Sequence, residues 1–479
     1  MGTFLLSDRV VLHDTDLTVA PAVVQIEGNL IQAVDPLDRS EWTAPGGTHQ
    51  VIDLGDRLVT PAFVNGHTHL SMSAFRGIGL AAMGGNIVED LYFRLESAIT
   101  ADDVRAFARM GAYDSLLSGV GTVWDHYYHA DAIAAALVDV GLTGVVAPTL
   151  QDLAGPGVSS LESQLDATVR LTENTEMAKK GVVAALGPHA TDTVSSPLWQ
   201  RIGGLADTHG LWIHVHVAQS VEEYDRSVAR HGCSPVSRLD GEGLLDAGAG
   251  MLLVHGLFLP QSDLKRLDPS RNILGFCPFS QIQFAFPAAV DGWWAAGIPF
   301  VVGTDCGACN DSMNVQQELR LIASGHAFAI TPSTLGQRFL TTGELGAAQA
   351  LDALRRDTRQ DRHALTAPRA LLNTVWTTPG DLHPDLPVGR IAAGRRANIA
   401  VWDLDHPACW PATDPFRTLT MSDMGPALWG MMTNGEWRGE PGRFRDSIVE
   451  SDDYRAACQE ASARLRDLLA RLGHADGPA

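Results

Sequence analysis

Two histidines separated by one residue end a short apolar segment, P-A-F-V-N-G-H-T-H-L, at residues 61–70. On a β-strand, residues i and i+2 point to the same face, so His67 and His69 direct two imidazoles at one point. Neutral imidazole is a common ligand of zinc and related metals. The pair alone also fits an ordinary polar strand edge, so a metal site requires ligands from elsewhere in the chain.

Other apolar segments also end in histidine or aspartate. The ends are Gly187-Pro188-His189, His214-Val215-His216, Val254-His255 and Thr304-Asp305. A single histidine at a strand end is usually a structural polar residue. Several such ends in one chain, together with His67 and His69, favour a shared site.

The elements that carry these ends repeat along the chain. Apolar strands, alternating with amphipathic helices such as 102–118 and 130–140, are predicted at 61–65, 120–125, 143–149, 181–188, 211–217, 251–256, 272–277 and 299–304. Eight strands separated by helices predict an α/β fold with a (β/α)8 TIM-like barrel. Catalytic residues of such barrels lie at the carboxyl ends of the strands, so the histidines and Asp305 are expected at one barrel mouth.

Segments with β-strand character flank this region on both sides. Residues 1–58 contain short strands and turns, and strand patterns return after Pro387. We therefore predict a flanking β-sandwich domain from residues 1–58 and 388–445, and a barrel catalytic domain over 59–387. A helical C-terminal tail is predicted over 446–479, with its helix at 452–472.

Composition limits the classes of function. The chain of 479 residues has a formal charge of −21, which disfavours nucleic acids and anionic membranes as partners. No apolar run approaches the ~20 residues of a membrane span, and no basic region with a long apolar core begins the chain. A cytoplasmic enzyme with a small-molecule substrate is the expectation.

The six cysteines are scattered and do not indicate a disulfide framework. Cys306 and Cys309 have the C-x-x-C spacing of a redox or zinc pair, but no second such pair accompanies them.

Taken together, these motifs resemble the amidohydrolase superfamily. The similarity is to the cytosine-deaminase-like branch, which includes triazine hydrolases, guanine deaminases and S-adenosylhomocysteine deaminases. It covers nearly the whole chain and includes the P-x-F-V-N-x-H-x-H-L segment, G-P-H-A at 187–190, G-T-D at 303–305 and G-x-I-x-x-G-x-x-A-N-I at 389–399.

The resemblance implies one divalent metal ion bound by His67, His69, His216 and Asp305. Binuclear relatives bridge two metals with a carboxylated lysine on a barrel strand. The chain has only three lysines, Lys179, Lys180 and Lys265, and none ends a predicted strand, so we predict a mononuclear site. Zinc is the first expectation, and the same ligands suit iron, manganese or cobalt.

The resemblance also assigns roles around the metal. A bound cation lowers the pKa of water, and Asp305 can accept the proton that the water loses. His255 is expected beside this water, where it orients the water or stabilises oxyanion charge. His214 is either structural or supports the ligands from behind, and the structural role is favoured.

One position departs from the family pattern. Deaminases of this branch carry H-x-H-x-x-E on the fifth strand, and here Gln219 replaces the glutamate that shuttles a proton to the substrate ring. An amide can donate a hydrogen bond but cannot transfer a proton at accessible pH. Three explanations are open. Another acid such as Glu222 or Glu223 substitutes; the substrate is an amide, urea or carbamate that needs no ring protonation; or the enzyme is catalytically weak.

Four residues are candidates for substrate binding. His189 ends strand four, His126 follows strand two, Arg76 follows strand one, and Gln281 lies after strand seven where relatives carry a smaller amide. A polar loop with aromatic packing is an equally good interpretation of the segment around His126.

We therefore predict a metal-dependent hydrolase of a C–N bond in a small heterocyclic or aryl-bearing substrate, with catalytic residues His255, Asp305 and Gln219. The reaction is either amide or urea hydrolysis or deamination of an aminoheterocycle with release of ammonia. A non-catalytic ligand-binding homologue is the alternative from another class. A homodimer is expected because it is common among similar proteins.

Overall fold

The computed structural model describes residues 2–13, 16–44, 46–78, 86–281, 288–330, 334–363 and 366–473. The strands are β1 Gly2–Leu12, β2 Thr18–Glu27, β3 Leu30–Pro36, β4 His49–Asp53, β5 Leu58–Pro61, β6 Phe63–His69, β7 Val120–Tyr127, β8 Thr143–Leu150, β9 Val182–Ala184, β10 Gly187–Pro188, β11 Trp212–Val217, β12 Gly250–His255, β13 Asn272–Phe276, β14 Phe300–Val302, β15 Asp305–Cys306, β16 Ile399–Trp402, β17 Leu428–Thr433 and β18 Glu436–Arg438.

The α-helices are α1 Phe93–Glu96, α2 Ala101–Leu117, α3 Ala130–Val140, α4 Leu161–Glu173, α5 Thr175–Lys179, α6 Ser196–His209, α7 Val221–His231, α8 Pro235–Gly241, α9 Gln261–Leu264, α10 Val290–Ala295, α11 Gly307–Asn310, α12 Val315–Ile330, α13 Thr334–Thr342, α14 Leu345–His363, α15 Pro368–Asn373, α16 Thr377–Gly380, α17 Pro415–Met421, α18 Phe444–Val449 and α19 Asp452–Arg471. Short 3-10 helices cover Leu70–Phe75, Pro156–Ser160, Leu244–Asp246 and Gly425–Ala427, and a π-helix covers Val88–Tyr92.

The central strands β6 to β15 pair in parallel and alternate with helices. One sheet has the order β10-β8-β7-β6-β15 with β9 on β8, and a second has the order β11-β12-β13-β14. Parallel bridges from Leu186 to Ile213 and from Ala190 to His216 connect the two sheets. The expected α/β class is confirmed, and each predicted strand corresponds to an observed one. The predicted fourth and eighth strands are each divided into two short segments.

Both ends of the chain contribute to a third sheet, in the order β18-β17-β16-β5-β1-β2-β3 with β4 on β1. Strand β16 pairs antiparallel with both β5 and β17. The inward faces of these strands are apolar, and Leu5, Val24, Val59 and Ile399 pack in one buried cluster. Residues far apart in sequence therefore share a single core at this side of the molecule.

The C-terminal helix α19 lies against α2. Arg464 and Arg471 both form ion pairs with Asp103, whose side chain is buried. The observed end of α19 lies one residue before the end predicted from the sequence.

Two expectations from composition concern covalent structure and membranes. The six cysteines, all within the described residues, form no disulfide bond. Across the described ranges, no helix has the length and apolar character that crossing a membrane requires.

Asn398, which precedes β16, joins the terminal sheet to the central strands. Its Nδ2 donates to Thr122 Oγ1 at 2.9 Å and to Thr143 Oγ1 at 2.7 Å. Its Oδ1 accepts from the backbone N–H of Asn434 at 2.7 Å. Asn398, Thr122 and Thr143 are all buried, so their polar groups pair within the protein rather than with water.

We expect Asn398→Ala to lower the free energy of unfolding by about 2–3 kcal/mol, since buried donors and acceptors lose their partner. Urea unfolding followed by circular dichroism measures the change. The exposed substitution Gln459→Ala on α19 is the control and should leave the midpoint unchanged. An Asn398→Ala midpoint equal to that of the control would contradict the linking role.

Candidate metal centre and active site

Four strand ends bring buried histidine and aspartate side chains together. His67 and His69 lie at the end of β6, His216 near the end of β11, His255 at the end of β12, and Asp305 at the start of β15. Their potential ligand atoms form overlapping groups: His67, His216 and His255 in one, and His67, His69 and Asp305 in another, with all atoms of a group within 4.8 Å of one another.

The imidazoles are oriented by hydrogen bonds at Nδ1. His67 Nδ1 lies 2.8 Å from His214 Nε2, and His216 Nδ1 lies 2.7 Å from the carbonyl of His189. His69 Nδ1 donates to the carbonyl of His126. With Nδ1 engaged, each ring presents Nε2 to the centre of the cluster, which is the orientation that metal-binding histidines receive from such partners.

The distances between the converging atoms fit a metal ion. His69 Nε2 lies 3.3 Å from His216 Nε2, and Asp305 Oδ1 lies 3.3 Å from His69 Nε2 and 3.6 Å from His67 Nε2. Bonds of about 2.0–2.1 Å to a tetrahedral ion separate its ligands by about 3.4 Å. His67 Nε2 is buried without a hydrogen-bond partner. The donor set and its spacing therefore suit one divalent ion.

The charge states of the cluster agree with this fit. Burial lowers the pKa of His67 to about 3 and that of His255 to about 4, and it lowers the pKa of His216 well below the usual range. Neutral imidazoles are the form that binds metal. For His69, burial acts in the same direction, but the ionised Asp305 beside it raises the pKa to about 9. Asp305 needs a positive partner here, and a cation can replace that proton.

The backbone at three of these strand ends is left-handed. His255 has a φ of 78°, Asp305 of 58° and Ala218, which follows β11, of 52°. Non-glycine residues seldom adopt this conformation, and such strain tends to occur where a side chain is held for function. At the edge of the cluster, the backbone of His255 and Asp305 therefore departs from regular strand geometry.

Two hydrogen bonds fix the position of Asp305, one at its side chain and one at its backbone. Its Oδ2 accepts a hydrogen bond of 2.5 Å from Ser280, and its backbone carbonyl accepts one of 2.8 Å from Thr68. Burial raises the energy of its charged form, but the nearby imidazoles of His67 and His69 hold the pKa of the carboxyl well below its usual range. Asp305 is therefore ionised and directed towards the histidines.

A cavity opens above the cluster. Its empty space, counted together with its open mouth, amounts to about 530 Å³. The described residues that line it are His69, Met72, Val88, Tyr92, Phe93, Glu96, His126, Tyr127, Tyr128, Thr149, His189, His216, Gln219, His255, Ser280, Asp305, Cys306 and Cys309.

Comparison with known proteins identifies the group to which this site belongs. Residues 58–334, more than half of the chain, match the model of the amidohydrolase family. The chain belongs to the amidohydrolase family. The resemblance inferred from the sequence is thereby confirmed. The enzyme class is confirmed with it, a metal-dependent hydrolase that acts on C–N bonds.

Individual relatives of this amidohydrolase cover most or all of its length. A 5-methylthioadenosine/S-adenosylhomocysteine deaminase from Thermococcus kodakarensis is 30% identical over 326 residues, which is 68% of this chain and 74% of the relative. A deaminase of the same name from Haloarcula marismortui is 27% identical over 480 residues, covering 99% of this chain and 100% of the relative.

Solved structures show the same fold. The atrazine chlorohydrolase of Arthrobacter aurescens, complexed with zinc, has a TM-score of 0.77 at 20% identity and covers 98% of this chain and 100% of its own. An adenosine deaminase from Xanthomonas campestris with bound zinc has a TM-score of 0.78 at 20% identity and covers 98% of each chain.

Most of the site residues predicted from the sequence meet at this cavity. His126, His189, Gln219 and His255 line it together with ligand candidates. His126 is buried, and its Nδ1 and Nε2 lie 3.2 Å from Thr149 Oγ1 and 3.3 Å from the carbonyl of Pro188. His214 lies behind His67, so its side chain contacts a ligand candidate and not the cavity.

Two predicted substrate contacts lie outside the described lining of the central cavity. Arg76 forms an ion pair of 2.7 Å with Asp114 and lines a separate cavity between α2 and α19. Gln281 Oε1 accepts from the backbone N–H of Ala288 at 2.8 Å, and Gln281 is not among the described residues that line the central cavity. A contact of Arg76 or Gln281 with substrate therefore stays a prediction.

Sequence reasoning missed several lining residues. Ser280 lies directly beside the predicted Gln281, and strand position alone could have suggested it. Glu96 belongs to a short helix between β6 and α2, in a segment with no periodic pattern or motif, so nothing in the sequence singled it out. Cys306 and Cys309 lie buried in the cavity wall and outside any disulfide bond, with Asp305 between them and the histidines.

We expect His69→Ala to lower metal affinity by at least about 100-fold, because the change removes a ligand rather than a supporting group. Inductively coupled plasma mass spectrometry of the purified, dialysed variant gives the metal content per chain. His189→Ala is the matched control: it removes a cavity imidazole but keeps the carbonyl that orients His216. Equal metal contents in the two variants would count against His69 as a ligand.

Proposed function

We propose that this amidohydrolase is an aminohydrolase that replaces the amino group of a small heterocycle with the oxygen of water and releases ammonia. The observation that carries the proposal is the convergence of three Nε2 atoms and the Asp305 carboxylate at the floor of the central cavity. The names of the relatives support it, since they describe deaminases of 5-methylthioadenosine, S-adenosylhomocysteine and adenosine.

The architecture that we propose is a closed eight-stranded barrel. The parallel pairing of β15 with β6 and the bridges between β10 and β11 support closure on both sides. We propose a flanking β-sandwich domain from residues 1–58 and 388–445, a catalytic domain from 59–387 and a helical tail from 446–479. The antiparallel pairing of β16 with β5 supports the joint terminal domain.

We propose that His67, His69, His216 and Asp305 bind a single divalent ion. Support comes from the ligand spacing and from the absence of lysine among the described residues that line the cavity. Zinc is favoured, since two structural neighbours contain it, and iron, manganese and cobalt are the alternatives. Held there, the ion supplies Lewis acidity and lowers the pKa of water towards neutrality.

Residues of the chain supply the proton transfers and hydrogen bonds that the reaction needs. Asp305, fixed by Ser280, accepts a proton from the attacking water and passes it to the departing amine. His255 is neutral at pH 7 because burial lowers its pKa to about 4, so it orients the water or the developing oxyanion through a hydrogen bond. His126 and His189, which line the cavity beside His216, contact the heterocycle.

The test is ammonia release by the metal-loaded enzyme. We expect turnover of adenosine-type nucleosides, measured by a coupled ammonia assay, and none of anilides or ureas. The oxo counterparts of the same nucleosides, which lack the amino group, are the control substrates. No turnover of any class with one metal per chain would instead favour the ligand-binding homologue.

Gln219 favours a second candidate, hydrolysis of an amide, urea or carbamate whose oxygen the Gln219 amide would steady. The assay separates the two candidates because this reaction releases an amine from a carbonyl. If the wild type releases only such amines, and Gln219→Glu gains ammonia release from an aminoheterocycle, the second candidate is correct. A homodimer remains a prediction for this chain.

A further inference from the structure

Two short segments next to β15 hold Asp305 in place. Ser280, in the turn after β13, donates to Asp305 Oδ2 at 2.5 Å. Asn310, the last residue of α11, donates through Nδ2 to the backbone carbonyl of Thr304 at 3.0 Å. The first contact orients the Asp305 side chain, and the second fixes the backbone directly before it. A turn and a helix of four residues are not stable by themselves, so both segments depend on support from the rest of the protein.

Glu318 on α12 connects these two segments. Its Oε2 accepts a hydrogen bond of 2.8 Å from the backbone N–H of Phe279, the residue before Ser280. Its Oε1 accepts one of 2.6 Å from Nδ2 of Asn310, the same group that donates to the Thr304 carbonyl. One carboxyl group therefore supports the Asp305 side chain through the turn and the Asp305 backbone through α11.

The surroundings of Glu318 favour this role over a contact with substrate. The side chain is buried, and it is not among the described residues that line the central cavity, whereas Ser280 and Asp305 are. Burying a carboxyl group is costly unless its oxygens are hydrogen-bonded. Two oxygens that accept from two different segments are what this side chain provides, and both can accept whether the group is ionised or protonated. An apolar side chain of similar volume would fill the space without joining the segments.

We propose that Glu318 is a positioning residue that directs the Asp305 carboxylate at the metal ion. This inference rests on the proposed role of Asp305 as a metal ligand. Glu318 acts through Ser280 and Asn310. Groups that orient a metal ligand contribute to metal affinity because they hold the ligand in its bound geometry before the metal arrives.

The first experiment compares Glu318→Met with Gln316→Met, the same new side chain at two buried positions of α12. Gln316 is the matched control because its Nε2 donates to the carbonyl of Leu419 on α17, at 2.8 Å, and to neither segment beside Asp305. Competition with a chromophoric chelator measures zinc affinity. We expect Glu318→Met to lower the affinity by about 10–100-fold and Gln316→Met to match the wild type. Equal affinities of the two variants would overturn the proposal.

Glu318→Gln is the conservative variant and preserves the shape of the side chain. An amide has one oxygen, so it can accept from either Phe279 or Asn310 but not from both. The zinc affinity of Glu318→Gln should therefore lie between those of the wild type and Glu318→Met. If Glu318→Met does not fold, Glu318→Gln decides the question, and an affinity equal to that of the wild type rejects the positioning role.

The visible spectrum of the cobalt-loaded protein reports the geometry of the ligands without any turnover. In Glu318→Gln one of the two supports of Asp305 is lost, so the ligand-field bands of bound cobalt should shift or change in intensity relative to the wild type. Gln316→Met should keep the wild-type spectrum, because a loss of stability alone does not move a ligand. A wild-type spectrum in Glu318→Gln contradicts the proposal.

Asp305→Ala separates this inference from the metal site on which it rests. If Asp305→Ala binds zinc as tightly as the wild type, Asp305 is not a ligand, and the proposed site fails together with the role of Glu318. If Asp305→Ala loses affinity while Glu318→Met and Glu318→Gln do not, the metal site stands and only the positioning role is wrong.

Discussion

The close approach of the first and last central strands determines the geometry of the site. A Cβ on Gly303 would lie 2.5 Å from the backbone oxygen of His67, so only glycine permits this contact. Asn65 and Thr304 exchange hydrogen bonds of 2.7 and 3.0 Å across the same junction. The backbone of Asp305 is thereby fixed against the strand that carries His67 and His69.

This junction concentrates groups that are costly to bury alone. An ionised carboxylate and several neutral imidazoles share a space from which water is excluded, and isolated charges in such surroundings are unstable. The Nδ1 hydrogen bonds leave the Nε2 atoms of His69 and His216 directed at each other at 3.3 Å. A cation bound by both atoms stabilises this spacing better than a single shared proton does. The cluster is therefore suited to hold a divalent cation, and the surrounding cavity gives a substrate access to it.

Much of the fold was predictable from local pattern. The eight predicted strands match the observed ones because buried parallel strands are continuous apolar segments bounded by turns. The histidines and Asp305 could be assigned to one face because strand ends of one direction meet at the same edge. The positions of Arg76 and Gln281 outside the described lining of the cavity could not be predicted, because the direction of a loop side chain depends on its partners, here Asp114 and the backbone of Ala288.

The sequence by itself determined the family, the ligand candidates and the loss of the usual acid at Gln219, since each follows from residue types at the ends of predicted strands. Only the tertiary structure decided which other groups face the cluster. Glu96 lies in a segment without periodicity, and its raised pKa arises from burial beside Tyr127 and Tyr128. A pKa is a property of surroundings assembled from distant parts of the chain, so no reading of neighbouring residues could have located it.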